Sequence, residues 1–92
     1  LKNEVFAMTI TAGEAPTTPT RLIDARGSFC PGPLMELIRA IRESEVGTVI
    51  TVRSSDRGSR VDIPKWVEKA GHRLVGVEQV EGYDEIIVEK LH

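Results

Sequence analysis

Cysteine is nearly absent from this chain: Cys30 is the only one in 92 residues. A single thiol excludes an internal disulfide, and with it the disulfide-stapled class of small secreted domains. A reducing cytoplasm is the expected setting. Two histidines, His72 and His92, and one cysteine give no metal-ligand spacing, so no metal is expected. A Gly-rich phosphate loop is also lacking, and no cofactor is expected. The four aromatic residues, Phe6, Phe29, Trp66 and Tyr83, are too few to form a stacking surface for single-stranded nucleic acid. They also leave the core to aliphatic side chains. A net charge of −2 gives no electrostatic drive toward nucleic acid or an anionic membrane. No apolar run approaches membrane-spanning length, and the start lacks the basic-then-apolar pattern of a signal peptide.

What is present is one small domain of ordinary composition, 40% hydrophobic and 28% charged. Residues 1–19 are expected to be a flexible tail. Thr9 to Thr20 is rich in Thr, Ala, Gly and Pro and has no sustained periodicity. Met8 is a candidate start of translation, and Leu91-His92 a candidate tag remnant. Residues 20–92 form the expected domain. Arg21–Ala25, closed by Gly27, has the form of a strand. Leu34, Leu37, Ile38 and Ile41 then recur at helical spacing, predicting a helix from Pro31 to about Glu45. Thr48–Ser54 is β-branched and alternating, a second strand. Ser55–Val61 is predicted to be a polar loop. A second helix follows, carried by Ile63, Trp66, Val67 and Ala70, with Asp62 and Pro64 at its start and Gly71 at its end. Arg73–Val80 and Glu85–Lys90 complete a βαβαββ order. One apolar stripe per helix implies a two-layer α/β sandwich: a four-stranded mixed sheet with both helices on one face.

The chemistry centres on Ser28-Phe29-Cys30-Pro31-Gly32-Pro33. With Cys30 as N-cap, Pro31 falls at the first helical position, Gly32 at the second and Pro33 at the third. Pro33 has no N–H, so the Gly32 amide is the expected donor to the sulfur. The helix dipole and that amide favour thiolate, the reactive form of the side chain, so a lowered thiol pKa is expected. The competing reading is a small buried hydrophobe. Two flanking prolines at a helix start tip the balance toward function.

Asp24-Ala25-Arg26-Gly27-Ser28-Phe29-Cys30-Pro31-Gly32-Pro33-Leu34 resembles the signature of the TusA/SirA/YedF family of small sulfur-carrier proteins, an acid and Gly ahead of Cys-Pro-x-Pro. A second stretch, Ser55-Asp56-Arg57-Gly58-Ser59-Arg60-Val61-Asp62-Ile63-Pro64, resembles the family's Asp, short polar stretch and Asp-Ile-Pro. The likeness covers about Arg21 to Lys90. It implies that Cys30 accepts a sulfane sulfur as a persulfide from a cysteine desulfurase or rhodanese-like donor. It further implies relay to a DsrE-like or other thiol acceptor, serving tRNA thiolation, cofactor biosynthesis or sulfur metabolism. Such a protein is a stoichiometric cosubstrate rather than an enzyme with a small-molecule pocket. The other readings are a redox or regulatory module using the same thiol, and a small sulfurtransferase acting on thiosulfate. Three features depart from the family pattern: the small Gly32, the basic Arg57-Gly58-Ser59-Arg60, and the Thr/Pro tail.

The supporting residues each carry two readings. Asp24 either orients the cysteine loop through backbone N–H groups or is a turn aspartate. Arg26 either stabilises a thiolate or persulfide anion or is solvated. Gly27 supplies a φ > 0 turn that sets the loop. Asp56 and Asp62 are expected near Cys30, because parallel strands bring the ends of the first two strands to one edge. There they would act in docking or proton handling, with helix capping as the alternative for Asp62.

Overall fold

The structure, a computed structural model, describes residues 18–92; residues 1–17, most of the expected tail, lie outside them. The elements are β1 (Thr20–Asp24), α1 (Gly32–Glu43), β2 (Val49–Ser54), α2 (Arg57–Ala70), β3 (Arg73–Val80) and β4 (Tyr83–Glu89). They form one four-stranded sheet in the order β1-β2-β4-β3. β1 and β2 are parallel, with Ile23 opposite Val52, and β4 runs antiparallel to both of its neighbours. The crossovers β1-α1-β2 and β2-α2-β3 advance in the same direction across the sheet. Right-handed connections therefore place both helices on the same face. This is the mixed two-layer sandwich expected from the βαβαββ order.

The core is aliphatic, as the shortage of aromatics requires. Leu37, Ala40 and Ile41 of α1 and Ile63 and Val67 of α2 pack on Ile50, Val52, Ile86 and Val88 of the sheet, all of them buried. Trp66 is half-buried against this cluster. Alternation along β2 and β4 leaves the other face of the sheet half-exposed, and cross-strand pairs such as Arg53–Glu85 (3.0 Å) lie there. At the C-terminus of α1, Lys90 Nζ donates to the carbonyls of Ile41 and Ser44, both at 2.6 Å. This neutralises part of the negative end of the helix. Among the described residues no helix is long and apolar enough to cross a membrane.

β4 starts at Tyr83 rather than Glu85, and α2 starts well before the point its sequence pattern suggests. The stretch expected as a loop to Val61 is the first turn of α2, which begins at Arg57. Asp56 caps it by accepting the Ser59 N–H at 3.1 Å, and also the Ser59 hydroxyl at 3.0 Å. Pro64 consequently sits inside α2 and not in its first turn. It withholds an N–H from the carbonyl of Arg60, an exposed residue. Asp62 therefore lies within the helix, and Asp56 is the cap.

Candidate functional site

Parallel pairing of β1 and β2 brings their C-terminal ends to one edge of the sheet, where β4 also begins, with Asp84 opposite Ser54. The loop from β1 to α1 and the short Ser55-Asp56 link from β2 to α2 lie side by side there. Gly27 turns the first loop with φ 90, and its N–H donates to Ser55 Oγ at 3.0 Å. Three residues further, the Cys30 N–H donates to Asp56 Oδ2 at 2.9 Å. That oxygen also receives both Ser59 donors, so one carboxylate caps α2 and fastens the cysteine loop. These bonds hold the Asp56 carboxyl below its ordinary pKa, the one from Cys30 foremost, against an opposing contribution from burial.

The thiol itself turns to α2. Half-buried Cys30 Sγ donates to Asp62 Oδ2 at 3.2 Å. This bond raises the thiol pKa above its ordinary value, because only the protonated sulfur can make it. Desolvation and the negative charges of Asp62 and Asp56 push the same way, while a hydrogen bond from Ser59 opposes them. The lowered pKa expected from a helix start is thus reversed. The cause is geometric: the N-cap of α1 is Pro31, one residue beyond Cys30, and no side chain caps the helix. The Gly32 N–H donates to the Phe29 carbonyl at 2.7 Å and not to the sulfur. The Cys30–Pro31 peptide is cis; Pro31 is exposed and Pro33 buried.

Arg26 serves neither thiolate nor solvent alone. Its guanidinium forms a forked pair with Asp24, Nε to Oδ1 and the second nitrogen to Oδ2, each at 2.7 Å. Asp24 also accepts the Arg26 N–H at 3.3 Å. The Arg26 hydrogen bonds bring the Asp24 pKa down to about 2, and the pair raises that of Arg26. The guanidinium lies 4.8 Å over the ring of Tyr83, an edge residue with no role legible in the sequence. The structure thus gathers Cys30, Asp56 and Asp62 at contact distance, with Gly27 shaping the loop, and sets Asp24 and Arg26 apart as their own pair.

Two further residues complete the site. Ser59 is fully buried beneath the loop, and its signal is the Asp-x-x-Ser spacing of a helix cap. At Gly58 a Cβ would stand 3.3 Å from Asp56 Oδ2, so glycine there leaves room for the carboxylate that fastens the cysteine loop. Next to the sulfur in the chain, Phe29 is an apolar side chain left 75% exposed. A cavity of about 470 Å³, lined by Ser55, Arg57, Arg60, Tyr83 and Asp84 among others, opens on this edge, and Cys30 is not part of its lining. Among the described residues no cluster of three His, Cys, Asp or Glu is placed to hold a metal ion.

The chain is similar to known proteins. A family model described as "Sulfurtransferase TusA" matches residues 21–90. A protein of Archaeoglobus fulgidus described as "Putative sulfur carrier protein" is 57% identical over 70 residues, covering 76% of this chain and 96% of that one. The "Sulfur carrier protein TusA" of Pseudomonas syringae pv. syringae is 40% identical over 60 residues, 65% of this chain and 71% of its own. The crystal structure of a SirA-like protein from Desulfitobacterium hafniense superposes with a TM-score of 0.69 at 30% identity, over 78% of this chain and 99% of that one. With both loops of the site inside the matched span, the chain belongs to the TusA family.

Proposed function

We propose that this protein is a sulfur carrier whose Cys30 receives one sulfane sulfur from a donor protein and passes it to an acceptor thiol. The observation that carries the reading is the placement of the sulfur. The only thiol of the chain stands half-exposed at the sheet edge, on a loop fastened through its own N–H, within a chain of the TusA family. No second cysteine is present to expel the cargo as an internal disulfide.

The transfer balances without net oxidation. The Cys30 thiolate attacks the outer sulfur of a donor persulfide and forms a new S–S bond. The donor's S–S bond breaks, and its electron pair stays on the donor sulfur. The proton released from Cys30 ends on that donor thiolate. The products are a donor thiol and Cys30–S–SH, and the reverse logic delivers the outer sulfur to the acceptor. A cysteine desulfurase or rhodanese-like protein is the class of donor, and a DsrE-like or other protein thiol the class of acceptor. The reaction is stoichiometric, and it needs a docking surface more than a substrate pocket.

The test is intact-mass analysis after incubation with a cysteine desulfurase, pyridoxal phosphate and cysteine. The expected result is a gain of one sulfur atom, reversed by reductant and absent in Cys30→Ala. An unchanged mass with several competent donors would refute the reading. A gain of oxygen alone would favour the redox module.

A further inference from the structure

Asp62 has a single structural attachment. Among the described residues the one side-chain hydrogen bond it makes is with the Cys30 thiol, 32 residues away in the chain. It caps nothing, because Asp56 holds that position. It forms no ion pair among the described residues, although its side of α2 is exposed. The charged groups bearing on the sulfur, Asp62 and Asp56, are both acidic. The arginine of the cysteine loop, Arg26, is engaged by Asp24 and lies over Tyr83. Among the described residues, the charges that act on the nucleophile are therefore those of two carboxylates.

We propose that Asp62 holds Cys30 as a resting thiol in the free carrier and is the contact point for a cationic side chain of the sulfur donor, whose pairing with the carboxylate releases the thiolate at docking. The inference rests on the carrier reading and adds a regulation and a partner chemistry to it. A thiolate 3.2 Å from a carboxylate is repelled, whereas a thiol at that distance donates to it. Neutralising the carboxylate removes both the repulsion and the reward for keeping the proton. An undocked carrier is thus shielded from stray electrophiles and oxidants, which react with thiolate. The exposed ring of Phe29, next to Cys30 in the chain, gives a partner something apolar to bury while its cation reaches Asp62. Loading changes the balance again. Sγ then bears sulfur in place of a proton, the bond to Asp62 is lost, and an anionic persulfide meets the same carboxylate. The arrangement favours the empty carrier over the loaded one, so the outer sulfur is held loosely toward any thiol that docks.

The experiment compares the wild type, Asp62→Asn, Asp62→Glu and, as a control on an exposed acid of the same helix, Glu68→Gln. The alkylation rate of Cys30 by iodoacetamide is followed against pH, with circular dichroism confirming the fold. Asp62→Asn is expected to move the midpoint of the profile to lower pH, while Asp62→Glu and Glu68→Gln stay near wild type. Each unit of that shift raises the thiolate fraction about tenfold at neutral pH and costs about threefold in intrinsic nucleophilicity, so the rate rises about threefold. A structural role alone would alter access to the sulfur and leave the midpoint in place. The partner's charge is read with a cationic and an anionic methanethiosulfonate of matched size. The wild type is expected to favour the cationic reagent by about fivefold at low salt, and Asp62→Asn to lose that preference. An unshifted midpoint in Asp62→Asn overturns the resting-thiol role, and an unchanged charge preference overturns the cationic contact. Neither readout depends on sulfur loading, so failure of the carrier reading is seen separately in the mass experiment.

Discussion

The two helices begin at the same edge of the sheet and do so by opposite means. α2 starts on a side-chain cap, Asp56, that satisfies the Ser59 amide and hydroxyl together. α1 starts on Pro31 with no side-chain cap, inside a Pro-Gly-Pro run that gives up two amide donors. The poorer start is the one beside the reactive sulfur, and it is fastened by the better one, through the Cys30 N–H on Asp56. Stability at this edge is thus stored in α2, and the α1 loop takes its shape from that store. The thiol is likewise governed from α2, through Asp62, and not by the dipole of the helix it precedes.

Asp56→Ala tests this dependence with the largest expected effect. It removes the cap of α2 and the anchor of the cysteine loop at once. The thermal midpoint should fall by about 5 °C or more, and hydrogen exchange at the Cys30 amide should accelerate. Equal protection of that amide in the variant would break the link between the two starts. Ser59→Ala is expected to act in the same direction but more weakly, since the Ser59 N–H still reaches Asp56 and only the hydroxyl is lost.

A smaller effect separates the Asp24–Arg26 pair from the sulfur. In Arg26→Ala the Asp24 carboxyl, held at about 2, should return toward its ordinary 3.8 in a carboxyl NMR titration, while the Cys30 alkylation profile stays in place. The sign for stability follows from a lowered carboxylate pKa. The contribution of the pair is present above the unfolded value and is lost as pH falls from about 4 to about 2. A Cys30 profile that moves in this variant would place Arg26 back at the thiol.

The smallest expected effect lies at the far end of α2. Burial, with His92 and Lys90 nearby, lowers the His72 pKa below the ordinary 6.5. The folded state then binds fewer protons than the unfolded one, so stability declines as pH falls through 6.5 toward the folded value. Urea midpoints at neutral and mildly acidic pH should differ slightly in the wild type and converge in His72→Gln. A difference that persists in that variant assigns the pH dependence to another group.

The fold was legible in the sequence because its signals are local and periodic. Leu37 and Ile41 recur at helical spacing, and Ile50 and Val52 share a strand face, as their burial confirms. The first turn of α2 was not legible from periodicity, since Arg57-Gly58-Ser59-Arg60 has no apolar stripe and its inward residue, Ser59, is polar. The neighbourhood of Cys30 was partly legible: two parallel strand ends placed Asp56 and Asp62 on its edge. The state of the thiol was not. Local reasoning sees only the helix start beside Cys30, whereas the group that sets its protonation arrives from Asp62, 32 residues further along. The pairing of Arg26 with Asp24 is local, and a charge two residues away outcompeted the sulfur.

The proposed carrier role requires that Cys30 hold a sulfur and give it up. Cyanolysis of the donor-treated, desalted protein measures this directly, as thiocyanate released per chain. One equivalent is expected from the wild type and none from Cys30→Ala. Release of no thiocyanate by the wild type, or of equal amounts by both proteins, would contradict it.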